Sequence, residues 1–334
     1  MTENLELFGL SIDQTRILFS IDKYLVEKDI ENSKTEKKML KREWLRAWEA
    51  SILEYLRNVD NTVDSLYGLY DIHKQVRVEN EKNDTLLWYY MIVMEASLFV
   101  AYTPLGEDVK RYHNLKYGNP IDAVKNLVNV DGYIEPKHVE ELQSEYIQNT
   151  KKLIGKGNKV IVTAFAAIAV AAVVATFCTM FAGPIAVAMV GGQFTGLYGA
   201  ALTSASLALL GGGALAAGGA GMAGGTAVIV GGGAILGMST GAAGGVLSNL
   251  LLSSPDYIVL ECAKFETVIK KILVEYLKDV QRARSILDEF GEEISKIEKD
   301  LSAIRGNKKQ KSELKQSIKY MKETYADCVK KLNA

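Results

Sequence analysis

The sequence is most telling in what it omits. Residues 160–255 contain no Asp, Glu, Lys, Arg or His. Histidine is limited to His73, His113 and His138, all before that stretch. Cysteine is scarce too: Cys178, Cys262 and Cys328 are odd in number and far apart, which argues against a disulfide framework and fits a reducing compartment. The opening, MTENLELFGLSIDQTRILFS, has acidic residues where a secretory signal needs basic ones and lacks a clean apolar core, so a cytoplasmic start is expected. A formal net charge of −1 gives no basic balance for nucleic acid. The run Lys308, Lys309, Lys311, Lys315 and Lys319 reads as a solvated helix face. The flanks show no His, Cys or carboxylate set with ligand or triad spacing, so no catalytic, cofactor or metal residues are expected and an enzyme is disfavoured.

What fills the uncharged stretch is glycine, alanine and aliphatic side chains. A membrane-spanning helix needs roughly 20 apolar residues, so the stretch is long enough for several. Twenty of the chain's 29 glycines lie in it. In water each would cost a helix about 1 kcal/mol relative to Ala. In a bilayer unpaired backbone groups are far costlier, and the helix becomes the default. The breaks Gly183-Pro184, Gly211-Gly212-Gly213 and Gly231-Gly232-Gly233 leave segments 160–182, 185–210, 214–230 and 234–252. Four spans are expected, with two longer hairpin arms as the alternative. Either even count returns the second flank to the side of the first. Lys151, Lys152, Lys156 and Lys159 precede the stretch, and the positive-inside rule keeps that side cytoplasmic.

The sharpest pattern is Gly233, Gly237, Gly241 and Gly245, one glycine every four residues. On a helix these share a face and let another backbone approach closely. Gly221/Gly225 and Gly192/Gly196 repeat the spacing. No ionisable residue is available to line an ion pathway, so conduction would need an oligomer lined by Ser, Thr, Gln193 and backbone. Two enzyme-like strings are rejected. Gly219 to Gly224 matches a dinucleotide fingerprint without the acidic residue that should follow. Gly237 to Gly241 matches a nucleophile elbow around Ser239, yet every His precedes it.

The expected fold is all-α: a helical bundle over 1–159, a glycine-rich hydrophobic hairpin or four-helix region over 160–255, and an antiparallel coiled coil over 256–334. In the first flank a helix is expected from about 35 to 73, burying Leu45, Trp48, Ile52, Tyr55, Val59, Val63, Leu66 and Tyr70. Trp44 and Trp48 are read as core aromatics rather than a ligand box. Asn83-Asp84-Thr85 should start the helix LLWYYMIVMEASLFVAY, ended by Pro104 and buried at the centre of the bundle, with an interfacial membrane helix as the alternative. Turns are expected at Gly118-Asn119-Pro120 and Asp131-Gly132, and a helix start at Glu135-Pro136. In the last flank Ser254-Pro255-Asp256 starts a helix. Phe265, Ile269, Ile272, Tyr276, Val280, Ala283, Leu287, Phe290, Ile294, Ile297, Leu301 and Ile304 then form a coiled-coil seam of about forty residues. Arg305-Gly306-Asn307 breaks it, and Leu314, Ile318, Met321, Tyr325, Cys328 and Leu332 resume it in a returning arm.

Long amphipathic helices on both sides of an uncharged insertion resemble the α-helical pore-forming toxins of the cytolysin A and haemolysin BL type. That resemblance implies a bundle whose apolar hairpin is hidden until it inserts. Separately, GGGALAAGGAGMAGGTAVIVGGGAILG looks like the glycine-rich membrane segments of interferon-inducible small membrane proteins. The expected function is a membrane-inserting, pore-forming or permeabilising effector, a toxin or cell-suicide protein controlled by its helical flanks. The alternative is a constitutive membrane-anchored coiled-coil scaffold that recruits partners. The expected partners are a lipid bilayer and either further copies of the chain or a helical protein. The expected location is the cytoplasmic membrane with cytoplasmic flanks, preceded or not by a soluble form.

Overall fold

The computed structural model describes residues 10–102, 111–112, 114–155, 255–303 and 308–334. The chain is all-helical, and no strand occurs among the described residues. They divide into two compact units, one holding residues 11–140 and the other holding 141–155 with 255–334. Each is described by itself.

In the first unit, α1 (Ile12–Glu31) opens with a reciprocal cap. The Gln14 amide donates to Ser11 Oγ at 3.2 Å and the Ser11 amide donates to Gln14 Oε1 at 3.0 Å, which satisfies two of the orphan donors at a helix start. Helices α2 (Thr35–Val59), α3 (Leu69–Lys82), α4 (Leu87–Leu98) and α5 (Ile121–Asp131) follow. The first residues of α6 (Pro136–Ile154) complete the unit. All twelve residues of α4 are buried. A helix that is apolar on every side must be covered on every side, so the buried-helix expectation holds for this segment. It stops at Leu98, earlier than Pro104, because Phe99 is already extended.

The long helix expected over 35–73 is two helices with a turn between them. Asp60 Oδ1 accepts from both the amide and the hydroxyl of Thr62, an Asx turn that competes with the helical ladder. Arg57 donates to the Val63 and Asp64 carbonyls and holds the turn down. Val63 and Leu66 are therefore buried from a loop rather than from a helix. Tyr70, expected on the buried face, is 80% exposed. The tryptophans are core: Trp44 stacks on Trp48 at 6.0 Å and meets Tyr102 edge-on at 5.3 Å. The expected turn at Asp131-Gly132 closes α5 with Gly132 at φ 74, a left-handed cap that favours glycine.

The second unit joins the rest of α6 to α7 (Pro255–Thr267), a π-helix (Val268–Tyr276), α8 (Val280–Ala303) and α9 (Lys308–Leu332). The expected seam is not continuous. In the π-helix the Leu277 amide reaches back to the Ile272 carbonyl, five residues away, and Lys278 turns left-handed at φ 57. Asp279 then caps α8 by accepting from the Arg282 amide at 3.0 Å. The wider turns shift the register, and Val280, expected on the seam, is 40% exposed. On either side the pattern holds. Phe265, Ile269, Ile272, Ala283, Leu287, Phe290, Ile294 and Ile297 are buried, as are Leu314, Ile318, Met321 and Cys328 on α9. Phe265 and Phe290 pack ring on ring at 4.3 Å.

Helices α8 and α9 run in opposite directions. Lys322 Nζ donates to Glu298 Oε1 at 2.6 Å, and the Tyr325 ring lies against Gly291. A Cβ at position 291 would stand 3.0 Å from that ring, so glycine is what lets the tyrosine close in. This packing predicts a contrast between neighbours. Ile294→Glu puts an unpaired charge into the α8 core and should lower stability by at least about 3 kcal/mol. Ser295→Glu, at an exposed position, should stay within about 0.5 kcal/mol. Urea midpoints of the two variants check the difference.

Candidate functional site

Of the residues marked by sequence as functional, Lys151 and Lys152 lie on the last turn of α6. Lys156, Lys159 and all six packing glycines (Gly221, Gly225, Gly233, Gly237, Gly241, Gly245) lie outside the described residues, as does Cys178. Among the described residues no helix is long and apolar enough to cross a membrane. The place where structure and the uncharged stretch meet is therefore the pair of stems that lead into it and out of it, α6 and α7.

Three contacts fix how these stems pair. Tyr276 donates from its hydroxyl to Glu141 Oε2 at 2.7 Å. Asn149 Nδ2 donates to Thr267 Oγ1 at 3.1 Å in a buried hydrogen bond. Lys152 Nζ lies 3.6 Å from Glu266 Oε1. As the numbering rises along α6 it falls along the partner, so all three contacts share one antiparallel register. Helix α9 runs parallel to α7: Cys262 lies against Thr324, and Glu266 sits in the field of Asp327. Lys152 ties the three helices together, since it also pairs with Asp327.

Glu266 is the centre of this cluster and is fully buried. Its Oε1 is shared by Lys270, one turn on, and Lys152. Its Oε2 is buried without a hydrogen-bond partner among the described residues. Burial pushes the carboxyl pKa above the usual range; Lys270 and Lys152 oppose that shift and Asp327 adds to it. Further out, Glu275 accepts from Lys271 at 2.7 Å and Lys331 at 2.8 Å. Burial disfavours its charge, but the two lysines outweigh burial and hold its carboxyl below the usual range. Cys262 and Cys328 are buried and free, and burial pushes both thiols up, so neither is a thiolate at neutral pH. This cluster left no mark in the local sequence pattern. Glu266, Asn149 and Thr267 read as ordinary helix residues because the contacts that join α6 to α7, Lys152 with Glu266 and Asn149 with Thr267, each span more than a hundred positions.

The first unit has its own buried polar groups. Asp29 accepts from Lys41 Nζ and the Tyr102 hydroxyl, both at 2.5 Å, and from the Gly118 amide at 2.9 Å. With both oxygens engaged, this network fastens α1 and α2 to the segment around Tyr102, which stands at φ 65. Asp131 accepts from Tyr89 and lies 2.6 Å from His73 Nδ1, linking α3, α4 and α5. Asp22 is buried with one oxygen unpartnered among the described residues, and burial followed by the charge of Glu95 holds its pKa well above the usual range. Among the described residues no group of three or more His, Cys, Asp or Glu is arranged to hold a metal ion.

The raised carboxyl of Glu266 gives a pH expectation of definite sign. A carboxyl whose folded pKa lies above its unfolded value stabilises the fold below the unfolded value, about 4.3, and that contribution is lost as pH rises through the folded value. Wild-type protein should therefore lose a component of stability between acid and neutral pH that Glu266→Gln does not lose. Glu275 contributes the opposite slope in both proteins, so the difference between their urea midpoints across that range isolates Glu266.

No family model, no curated protein and no solved structure matches the chain, so its functional reading rests on these residues.

Proposed function

We propose that the chain is a membrane-inserting effector that permeabilises a bilayer through residues 160–255 and is controlled by its helical flanks. One observation carries the reading. The antiparallel register of α6 and α7 brings both ends of an uncharged stretch to the same end of one helical unit. Such a hairpin topology suits an even number of spans, with both flanks on the cytoplasmic side behind Lys151 and Lys152. Helix association through Gly233, Gly237, Gly241 and Gly245 builds the permeabilising oligomer. A membrane-anchored scaffold is the competing reading, and it shares the topology without the permeability.

Induced expression with simultaneous readout of membrane potential and viability separates the two. Rapid depolarisation is expected here, and a polarised, growing cell would favour the scaffold. The glycines are tested by replacing Gly237 and Gly241 together with Leu. Leu is a better helix former by about 1 kcal/mol per site and suits lipid, so insertion should survive. The close helix contact should not, and crosslinked oligomers and dye release from vesicles should both be lost. Intact oligomers with unchanged dye release would reduce the glycine spacing to composition.

A further inference from the structure

The basic run near the end of the chain is more than a solvated face. On α9 the side chains of Lys308, Lys311, Lys315, Lys319 and Lys322 are all exposed. At ~100° per residue they fall within a stripe about 80° wide. Leu314, Ser317, Ile318, Met321, Thr324 and Cys328 are buried on the opposite side of the helix. Two of the lysines have surface ion pairs, Lys319 with Glu323 at 3.9 Å and Lys322 with Glu298 at 2.6 Å. Pairs this exposed are weak and screened, so they leave the lysines available to a stronger field. The five lysines form a row of one sign roughly 20 Å long.

The position of the row says what it faces. Lys152 joins α6 to Asp327 of α9 and to Glu266 of α7, which sets a common level in the unit. From that level Pro255 lies ~16 Å along α7, at the end where the chain returns from the uncharged stretch. Helix α9 is parallel to α7, so Lys315 lies ~18 Å from Asp327 toward the same end, and Lys311 and Lys308 lie beyond it. The groove of about 630 Å³ lined by Lys152, Gly155, Gln316, Lys319, Tyr320 and Glu323 shows the same neighbourhood directly. Gly155 is the last described residue before the uncharged stretch, and it shares this groove with Lys319.

We propose that the lysine row of α9, Lys308, Lys311, Lys315, Lys319 and Lys322, is a docking surface for an acidic lipid bilayer. It rests on the reading that residues 160–255 insert. A bilayer that receives that stretch lies at the end of the unit where α6 leaves and α7 returns, and the row runs along α9 to that end, with Lys315, Lys311 and Lys308 reaching it. Anionic headgroups are complementary to a row of lysines, whose long stems let the ammonium groups adapt to a fluid surface. The row concentrates the protein on an acidic leaflet and holds the ends of both stems beside it before insertion.

The test uses the full chain, with vesicles of phosphatidylcholine alone or mixed with phosphatidylserine. Binding is measured by co-flotation at low and high salt, and insertion is read separately as the fraction that resists alkaline carbonate. Wild-type protein should prefer the acidic vesicles and lose that preference at high salt. Lys311→Gln, Lys315→Gln and Lys319→Gln together should weaken binding to acidic vesicles about a hundredfold, at about fivefold per lysine. The three matching Lys→Arg changes should bind like wild type, which shows that charge rather than a folding defect is read. Equal binding of wild type and the triple Gln variant would overturn the docking surface, whether or not the chain inserts. Salt-sensitive binding through the row with complete release by carbonate would uphold docking and overturn insertion. If the Gln variant instead loses binding to duplex RNA and keeps vesicle binding, the face belongs to nucleic acid and the proposal falls.

Discussion

The buried hydrogen bond between Asn149 and Thr267 joins residues separated by the whole uncharged stretch. Together with Lys152 against Glu266 and Tyr276 against Glu141, it sets α6 and α7 antiparallel in one register. Everything distinctive about the second unit follows from that pairing. It brings the stem that leads into the uncharged stretch and the stem that leads out of it side by side. It also places α9, through Asp327 and Thr324, beside both stems.

The cluster that enforces this pairing is incompletely satisfied. Glu266 has one oxygen between two lysines and the other buried without a partner among the described residues. A half-satisfied buried carboxylate is costly, because low dielectric raises the penalty on the unpaired oxygen as much as it strengthens the paired one. The π-helix that follows at once is a second departure from the cheapest backbone, and Lys278 at positive φ is a third. The first unit holds both satisfied and unsatisfied polar groups. Asp29 and Asp131 have their oxygens engaged by named donors, and the aromatic core around Trp44 and Trp48 is closed. Asp22, Asn80, Trp88 and Tyr117 there each keep a buried polar atom without a hydrogen-bond partner among the described residues, as Glu266 and Ser317 do in the second unit.

The helical class was legible in the sequence, because three-four spacing of apolar residues with charges between them has no strand reading. The same holds for the buried α4, whose twelve residues are apolar around the whole helix apart from Glu95 and Ser97 and had to be enclosed. Local punctuation was equally legible. Gly132 ends α5 and Pro136 opens α6. These signals are short-range, carried by residues within one or two turns of the feature they specify.

Long-range packing settled what spacing could not. The turn at Asp60 interrupts a continuous apolar repeat, because an Asx turn and the Arg57 contacts to Val63 and Asp64 outweigh the weak preference for extending a helix. The π-helix and Lys278 rotate the last flank off its repeat and expose Val280. The stem cluster was invisible for a simpler reason. Asn149, Lys152, Glu266, Thr267 and Asp327 acquire meaning only when α6, α7 and α9 are in contact, and no local pattern records a hydrogen bond across more than a hundred residues.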